Sequence, residues 1–585
     1  MGFVLQTWWL FIKFKFINIV IIKQLILTQI FFITLFVLII FFTLITRTRI
    51  LAAGVFRRIT IELNIWSIGL NIPSFLILVD QIRMLFIATV ILITLAVILF
   101  RVNYITLSNF NRRFHLTLFS FVLSMLILII SPNIIRLLLG WDGLGISSYI
   151  LVVFYRRRKS LRAGLITGIM NRVGDRLILI SLFALNRVSN LRSFLSRSIM
   201  LKRSLMGWFF FILARITKSA QIPFRSWLPA AIAAPTPVSA LVHSSTLVTA
   251  GLYLAIRFSA LSIKNCFLPL LSSLGVITIL LARIRAIVEC DIKKIVALST
   301  LSQLGVMFRA FRTTLISLVF FHLVVHAFFK ALLFICAGQT IHNINDSQDL
   351  RKIGMHNSSC PIRSTVICLC KASLCGLPFY SSFYSKEMIL EGLSTNRNAG
   401  ILTFFGIWLG VILTLVYSLR FVFLVLIIQY RGIRIFQKQE KTTLTIASII
   451  LLFLPRITAG KLIHLFFKVQ LGATLESSST KRIIFLLFFV AFFFTIISIN
   501  LFHKKPNLGY IWSLARWTGA LPGSSFRGLG THLQWLRRFA LGDFLVAWGQ
   551  GVSEQLRQFN FHRVSFFRII LRLIILLLAL KINFW

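Results

Sequence analysis

Between Leu27 and Thr46 the chain runs for twenty residues without a charged side chain, and Ile483 to Leu501 does the same over nineteen. Each run is close to the roughly 20 residues that an α-helix needs to cross about 30 Å of hydrocarbon. Similar runs recur along the 585 residues, and fourteen to sixteen can be counted loosely. Water-soluble domains are about half apolar, with the apolar positions broken up by polar faces. Here 58% of residues are hydrophobic and mean hydropathy is +0.90. The sequence therefore predicts an all-α integral membrane protein, because backbone in lipid must satisfy its own hydrogen bonds.

The formal net charge is +49, from 63 basic and 14 acidic residues. A soluble chain of that charge would suggest nucleic acid. In this chain the basic residues gather between apolar runs, as at Arg156, Arg157, Arg158 and Lys159, and no nucleic-acid motif accompanies them. Loop cations of this kind suit anionic phospholipid headgroups, cardiolipin among them, or acidic partner subunits. The seven cysteines lie along apolar segments. The tightest group, Cys368, Cys370 and Cys375, lacks the paired spacing of a metal site, so small buried hydrophobes are expected. The N-terminus has no cleavable-signal pattern, and Gln6 stands where myristoylation needs Ser or Thr.

With so few acids, each can be questioned. Asp142 follows the apolar run in Leu137-Leu-Leu-Gly-Trp-Asp, and Asp175 follows Asn171-Arg-Val-Gly ahead of another apolar stretch. A charge at membrane depth costs several kcal/mol, so it is expected to be paired or to face an internal cavity. Lys218, Lys330 and Lys386 are the matching cations. A buried lysine balanced between desolvation and a carboxylate can load and release a proton, which arginine cannot do. His322, His326 and Lys330 are spaced i, i+4 and i+8, which puts them on one helical face over roughly 12 Å of rise. Three titratable groups in a column suit a proton relay. The His-x-x-x-His spacing also suits zinc, but no Glu follows His322 and the surroundings are apolar. His243 lies in sequence between the Lys218 and Lys330 segments and could link two half-channels.

Pro223, in Lys218-Ser-Ala-Gln-Ile-Pro-Phe, and Pro378, in Gly376-Leu-Pro-Phe-Tyr, each interrupt an apolar helix with a lysine nearby. In membranes, broken helices line cavities or pathways. Two at comparable places suggest an internal repeat, unrelated kinks being the alternative.

Longer phrases carry a resemblance. Trp227-Leu-Pro-Ala-Ala-Ile-Ala-Ala-Pro-Thr-Pro-Val-Ser-Ala-Leu-Val-His-Ser-Ser-Thr, Asp291-Ile-Lys-Lys-Ile-Val-Ala-Leu-Ser-Thr-Leu-Ser-Gln-Leu-Gly, His326-Ala-Phe-Phe-Lys-Ala-Leu-Leu-Phe and Ser385-Lys-Glu resemble the signatures of the antiporter-like, proton-pumping membrane subunits of respiratory complex I. Gly140-Trp-Asp-Gly-Leu-Gly, the Ile341-His-Asn…Gln348-Asp-Leu-Arg-Lys segment and a long C-terminal extension point to one of the paralogues. The match is firm from about Asp80 to Arg420 and fainter elsewhere.

The resemblance implies two inverted five-helix repeats with broken helices and a C-terminal lateral helix. It divides the chain into N-terminal transmembrane helices (1–110), two antiporter-like half-channels (111–260 and 261–430), additional transmembrane helices (431–502), a lateral amphipathic segment (503–565) and an anchor helix (566–585). It implies that Lys218, with Asp142 as its acidic partner, serves the first half-channel. Lys330 is then the central lysine, flanked by His322 and His326, with His243 bridging towards it. Lys386 and Glu387 form the exit, and Arg172 with Asp175 a supporting ion pair. No cofactor is implied in this chain: NADH, FMN, iron–sulfur clusters and ubiquinone belong to or bind at partner subunits. A mitochondrial inner-membrane location follows, beside a neighbouring antiporter-like subunit. The chain departs from the family in having Asp142 where Glu is usual, which retracts the carboxylate by one methylene. Glu387, often Asp in relatives, is a milder change. A stand-alone or Mrp-type cation antiporter and a non-pumping scaffold are the competing readings. A scaffold has no use for costly buried charges.

Overall fold

The computed structural model describes residues 59–63, 75–104, 108–131, 134–186, 205–258, 267–311, 316–344, 347–353, 360–377, 380–394, 401–427 and 443–471, with a few positions between 487 and 496. The run from Leu27 to Thr46, the segments 503–565 and 566–585, and Pro378 lie outside the described residues, and with them the expected lateral and anchor helices.

The described residues form an all-helical membrane bundle with one local addition, an antiparallel hairpin of β1 (Ile59–Leu63) and β2 (Phe75–Val79), in register from Ile59↔Val79 to Leu63↔Phe75. Both segments are rich in β-branched and aromatic residues and too short to span as helices. The helices follow: α1 (Gln81–Tyr104), α2 (Ser108–Ile130), α3 (Ile134–Val152), α4 (Arg158–Asn186), α5 (Leu205–Lys218), the short α6 (Trp227–Ala231) and α7 (Thr236–Val242), α8 (Leu247–Arg257), α9 (Phe267–Val288), α10 (Ile292–Ala310), α11 (Ile316–Asn343), α12 (Pro361–Cys375), α13 (Ser381–Ser394), α14 (Ile401–Val422) and α15 (Thr443–Leu471). Six spans among the described residues are long and apolar enough to cross a membrane; the looser sequence count also takes in runs outside them.

The core lies around α11. From Leu318 to Ile341 it is buried without interruption, packed by α1, α7, α8, α10, α12, α13 and α15. Its apolar residues go all the way round, as expected of a helix enclosed on every side. α10 is buried throughout except Lys294. By contrast α2, α3 and α4 present large apolar side chains outward, including Leu116, Phe119, Leu139, Leu165, Ile169 and Phe183. In a membrane that face meets lipid tails, so exposing it costs nothing there.

Two of the quoted phrases meet in space. Asp291 bridges Asp349, with the Ile292 amide donating to the Gln348 carbonyl at 3.0 Å and the Leu350 amide to the Cys290 carbonyl at 2.9 Å. That pairing fixes the start of α10. Asp80, ahead of α1, is held by Arg257 at the end of α8 at 2.7 Å.

Close packing of α2 and α3 depends on Gly140. A Cβ there would lie 2.6 Å from the Leu128 amide nitrogen and 2.9 Å from its Cα. Neither atom can swing away, so Gly140→Ala is expected to force the helices apart, at about 1–3 kcal/mol. The expected result is less assembled chain in solubilised membranes and a lower unfolding temperature; unchanged values for both would show that the helices separate freely.

The basic loop Arg156–Lys159 between α3 and α4 is exposed, as the sequence suggests. Several buried arginines are held by carbonyls instead of carboxylates: Arg83 donates to Ile130 at 2.9 Å, Arg215 to Phe211 at 3.3 Å, and Arg420 to Glu289 at 3.0 Å. Nothing in the structure explains why the chain carries so many.

Candidate functional site

α5 ends at Lys218, and the chain turns through Ser219 to Ser226 before resuming as α6. The Gln221 amide reaches back to the Ile216 carbonyl and the Phe224 amide to that of Gln221, while Ala220 has a left-handed φ of 53°. Pro223 therefore sits in the turn between two helical pieces, where its missing N–H leaves no broken helical bond. The sequence expects Pro223 inside a broken helix; the structure has it in the turn between α5 and α6. The turn is pinned from two sides: Trp227 Nε1 donates to the Thr217 carbonyl at 3.0 Å, and Thr278 Oγ1 of α9 to Gln221 Oε1 at 2.6 Å.

Lys218 is buried at the end of α5. Its Nζ donates to the Trp141 carbonyl at 2.8 Å and lies 4.4 Å from the centre of the Trp141 ring. Its ammonium thus docks on the residue before Asp142. Among the described residues it makes no direct ion pair. Asp142 follows Trp141 on α3, and Asp175 follows Gly174, where a Cβ would lie 3.7 Å from the Trp141 ring, so both aspartates stand beside the Lys218 site. One carboxylate oxygen of each, Oδ1, is buried without a hydrogen-bond partner. Arg172 reaches Asp175 at 3.4 Å from a largely exposed position, a contact worth little by itself. Gly174 lets α4 approach: a Cβ there would lie 2.5 Å from Thr217 Oγ1. The first half is thus a triad of one lysine and two aspartates, in which sequence reading gave Asp175 only a supporting place.

In the second half, α11 carries His322, His326 and Lys330, all buried. His322 Nδ1 is 2.8 Å from Ser385 Oγ and its Nε2 is 3.4 Å from Gln303 Oε1. The rings of His322 and His326 are 6.3 Å apart, and neither nitrogen of His326 has a hydrogen-bond partner among the described residues. Lys330 Nζ donates to Ser299 Oγ at 2.5 Å, with the Val296 carbonyl at 3.5 Å. Val296, Ser299 and Gln303 share one face of α10, and this polar strip serves both ends of the column.

Ser385 leads directly to Lys386. α12 ends at Gly376, whose φ of 82° is the left-handed cap that favours glycine. That cap leaves the last carbonyls of α12 open, and Lys386 Nζ takes those of Cys375 at 2.9 Å and Leu374 at 3.3 Å. Gly376 also leaves room for the lysine, since a Cβ there would lie 3.3 Å from Lys386 Cδ. The second helix break expected near Pro378 is present between α12 and α13. Glu387 is buried beside Lys386, and both line a cavity of about 10 Å³ with Cys375, Gly376, Phe383, Leu390 and Val411. That is roughly the space of one water.

His243 caps α7, with its ring centre 6.5 Å from Trp227 and 6.4 Å from Phe334. Trp227 belongs to the Lys218 turn, and Phe334 lies one turn beyond Lys330 on α11. His243 therefore lies between the Lys218 turn and α11.

Sequence reading missed three kinds of residue. Ser299, Gln303 and Ser385 carry no charge to betray them; only their i, i+4 spacing on a buried helix, for Ser299 and Gln303, was a signal. Asp175 was assigned to its neighbour in sequence. Lys371, a lone cation in the apolar run of α12, was passed over. Among the described residues no group of three or more His, Cys, Asp or Glu is placed to hold a metal.

The family described as NADH:quinone oxidoreductase/Mrp antiporter, TM matches residues 131–414, which contain the whole constellation. NADH-ubiquinone oxidoreductase chain 5 of Anopheles quadrimaculatus is 45% identical over 351 residues, covering 59% of this chain and 60% of the mosquito protein. The Lumbricus terrestris protein of the same name is 45% identical over 365 residues, 62% of each chain. The match thus spans about three-fifths of those relatives. For the Anopheles arabiensis protein, also 45% identical, it spans 82% of the relative and 54% of this chain. A solved structure, the Mrp complex from Dietzia sp. DQ12-45-1b, superposes with a TM-score of 0.64 at 20% identity, covering 89% of this chain and 57% of that one; at that identity the likeness concerns the fold. With the Anopheles arabiensis protein matched over most of its length and the charged membrane constellation lying inside the family's span, the chain belongs to the NADH-ubiquinone oxidoreductase chain 5 family.

Proposed function

We propose that the chain is a proton-translocating membrane-arm subunit of an NADH:ubiquinone oxidoreductase, moving protons through a relay of buried lysines, histidines and acids coupled to quinone reduction elsewhere. It is a multi-pass protein of the mitochondrial inner membrane. The observation that carries the reading is the unbroken buried column of His322, His326 and Lys330, tied through Ser385 to Lys386. A scaffold gains nothing from three titratable groups held dry on one helix, since each costs free energy to bury.

In this reading Asp142, Asp175 and Lys218 form the loading site of the first half-channel (111–260). His243 links it to Lys330 in the second (261–430), and Lys386 with Glu387 forms the exit. Charging one lysine shifts the next group's affinity for its proton, so protons advance stepwise. Arg172 supports Asp175, and the breaks near Pro223 and Pro378 provide the polar backbone that lines the path. Helices in 431–502 add to the bundle. No cofactor is assigned to this chain; NADH, FMN, iron–sulfur clusters and ubiquinone are assigned to partner subunits. Neighbouring membrane subunits, among them an antiporter-like one, and phospholipids such as cardiolipin are the expected contacts.

The test is native-gel fractionation of gently solubilised membranes, following this chain beside NADH-oxidising activity. Co-migration in one very large band is the expected result. Migration in a small complex without that activity would overturn the assignment and favour Mrp-type cation antiport, which shares the fold.

A further inference from the structure

Lys371 lies in the middle of α12, 1% exposed, and its Nζ has no hydrogen-bond partner among the described residues. It lies over the face of Phe421 on α14, 3.7 Å from the ring centre. An ammonium carries three donors, and a cation–π contact does not offset the burial of all three unsatisfied. Lys386 shows what a settled lysine does in this fold: it takes two carbonyls. Lys218 and Lys330 also have carbonyl or hydroxyl partners.

Among the described residues no carboxylate bonds Lys371. Cys370 and Cys375 flank it on α12, and that helix packs against α11, which carries the buried Lys330. Two ammonium groups in one dry space repel, so a proton on one disfavours a proton on the other. Lys371 is also placed to pass a proton onward. Leu374 and Cys375, whose carbonyls hold Lys386, are three and four residues beyond it, one turn along the same face of α12.

We propose that Lys371 is a further proton-carrying residue of the second half: its neutral amine accepts a proton from the Lys330 ammonium through water, and it gives that proton up toward Lys386. Each step moves one proton from an ammonium to an amine, and no other bond changes. This rests on the proton-translocating reading, so the test includes a control for that reading.

The measurement is proton uptake per NADH oxidised in vesicles holding the whole complex, with Lys371→Met, Lys371→Arg and Lys330→Met compared with the unmodified chain. Lys371→Met and Lys371→Arg are both expected to lower proton yield as far as Lys330→Met does, because arginine keeps the charge but does not release a proton. Normal yield in Lys371→Met overturns the proposal. Normal yield in Lys371→Arg with loss in Lys371→Met also overturns it, since a fixed charge is then sufficient. Normal yield in Lys330→Met together with both Lys371 variants overturns the translocation reading as well. Should Lys371→Met fail to assemble, Lys371→His keeps a titratable group: retained yield supports the proposal and lost yield in an assembled complex overturns it.

Discussion

Lys330→Met is expected to cut proton movement through this chain by at least about tenfold while leaving its assembly largely intact. The substitution keeps the length and most of the volume of the side chain, so α11 retains its packing, and volume-conserving swaps in a core cost less than about 1.5 kcal/mol. What is lost is the ammonium that meets Ser299 and Val296 of the polar strip of α10. A positioned proton donor or acceptor contributes about 10²–10⁴ in rate to the step it serves, so translocation through this path should fall by at least about tenfold. The readout is proton uptake in sealed vesicles during NADH oxidation, alongside native-gel abundance. Full uptake with a normally assembled chain would remove Lys330 from the path.

The positions that were legible in the sequence are those where charge sits in apolar surroundings. Lys218, Lys330, Lys386 and the two histidines stand out because burying them is expensive, and the i, i+4, i+8 spacing assigns three of them to one face with no knowledge of the fold. The helix break after Lys218 was legible for a related reason, since Pro and Gly punctuate an otherwise continuous pattern. Partners were not legible, because they depend on which helices meet. Nothing local connects Ser385 with His322 or the Trp141 carbonyl with Lys218, 63 and 77 residues apart. The hairpin of β1 and β2 was hidden by apolar β-branched residues that read equally well as helix in a chain full of helices. Lys371 was hidden by the crowd: among 63 basic residues, one more lysine carries little weight until its burial is seen.

The sharpest separation between a reading from sequence and one from structure concerns the two aspartates. The family resemblance makes Asp142 the partner of Lys218 and leaves Asp175 to Arg172. In the structure Lys218 donates to the Trp141 carbonyl beside Asp142 and makes no direct ion pair among the described residues, and Asp175 is the more deeply buried of the two aspartates. Arg172 cannot be the main neutraliser of Asp175, because it is mostly exposed and 3.4 Å away, while Asp175 is almost wholly buried. Removing one charge from a buried pair costs about 3–5 kcal/mol, since the other is left uncompensated. Asp175→Asn keeps the shape of the side chain and removes only that charge. It is expected to cut proton translocation by about tenfold or more, on the scale of about 1.4 kcal/mol per factor of ten, and to do so more severely than Asp142→Asn. Arg172→Gln is expected to change it little, as an exposed ion pair is worth about 0–1 kcal/mol. Equal losses in the two aspartate variants would make them interchangeable members of one site, and a larger loss in Asp142→Asn would restore the pairing read from sequence.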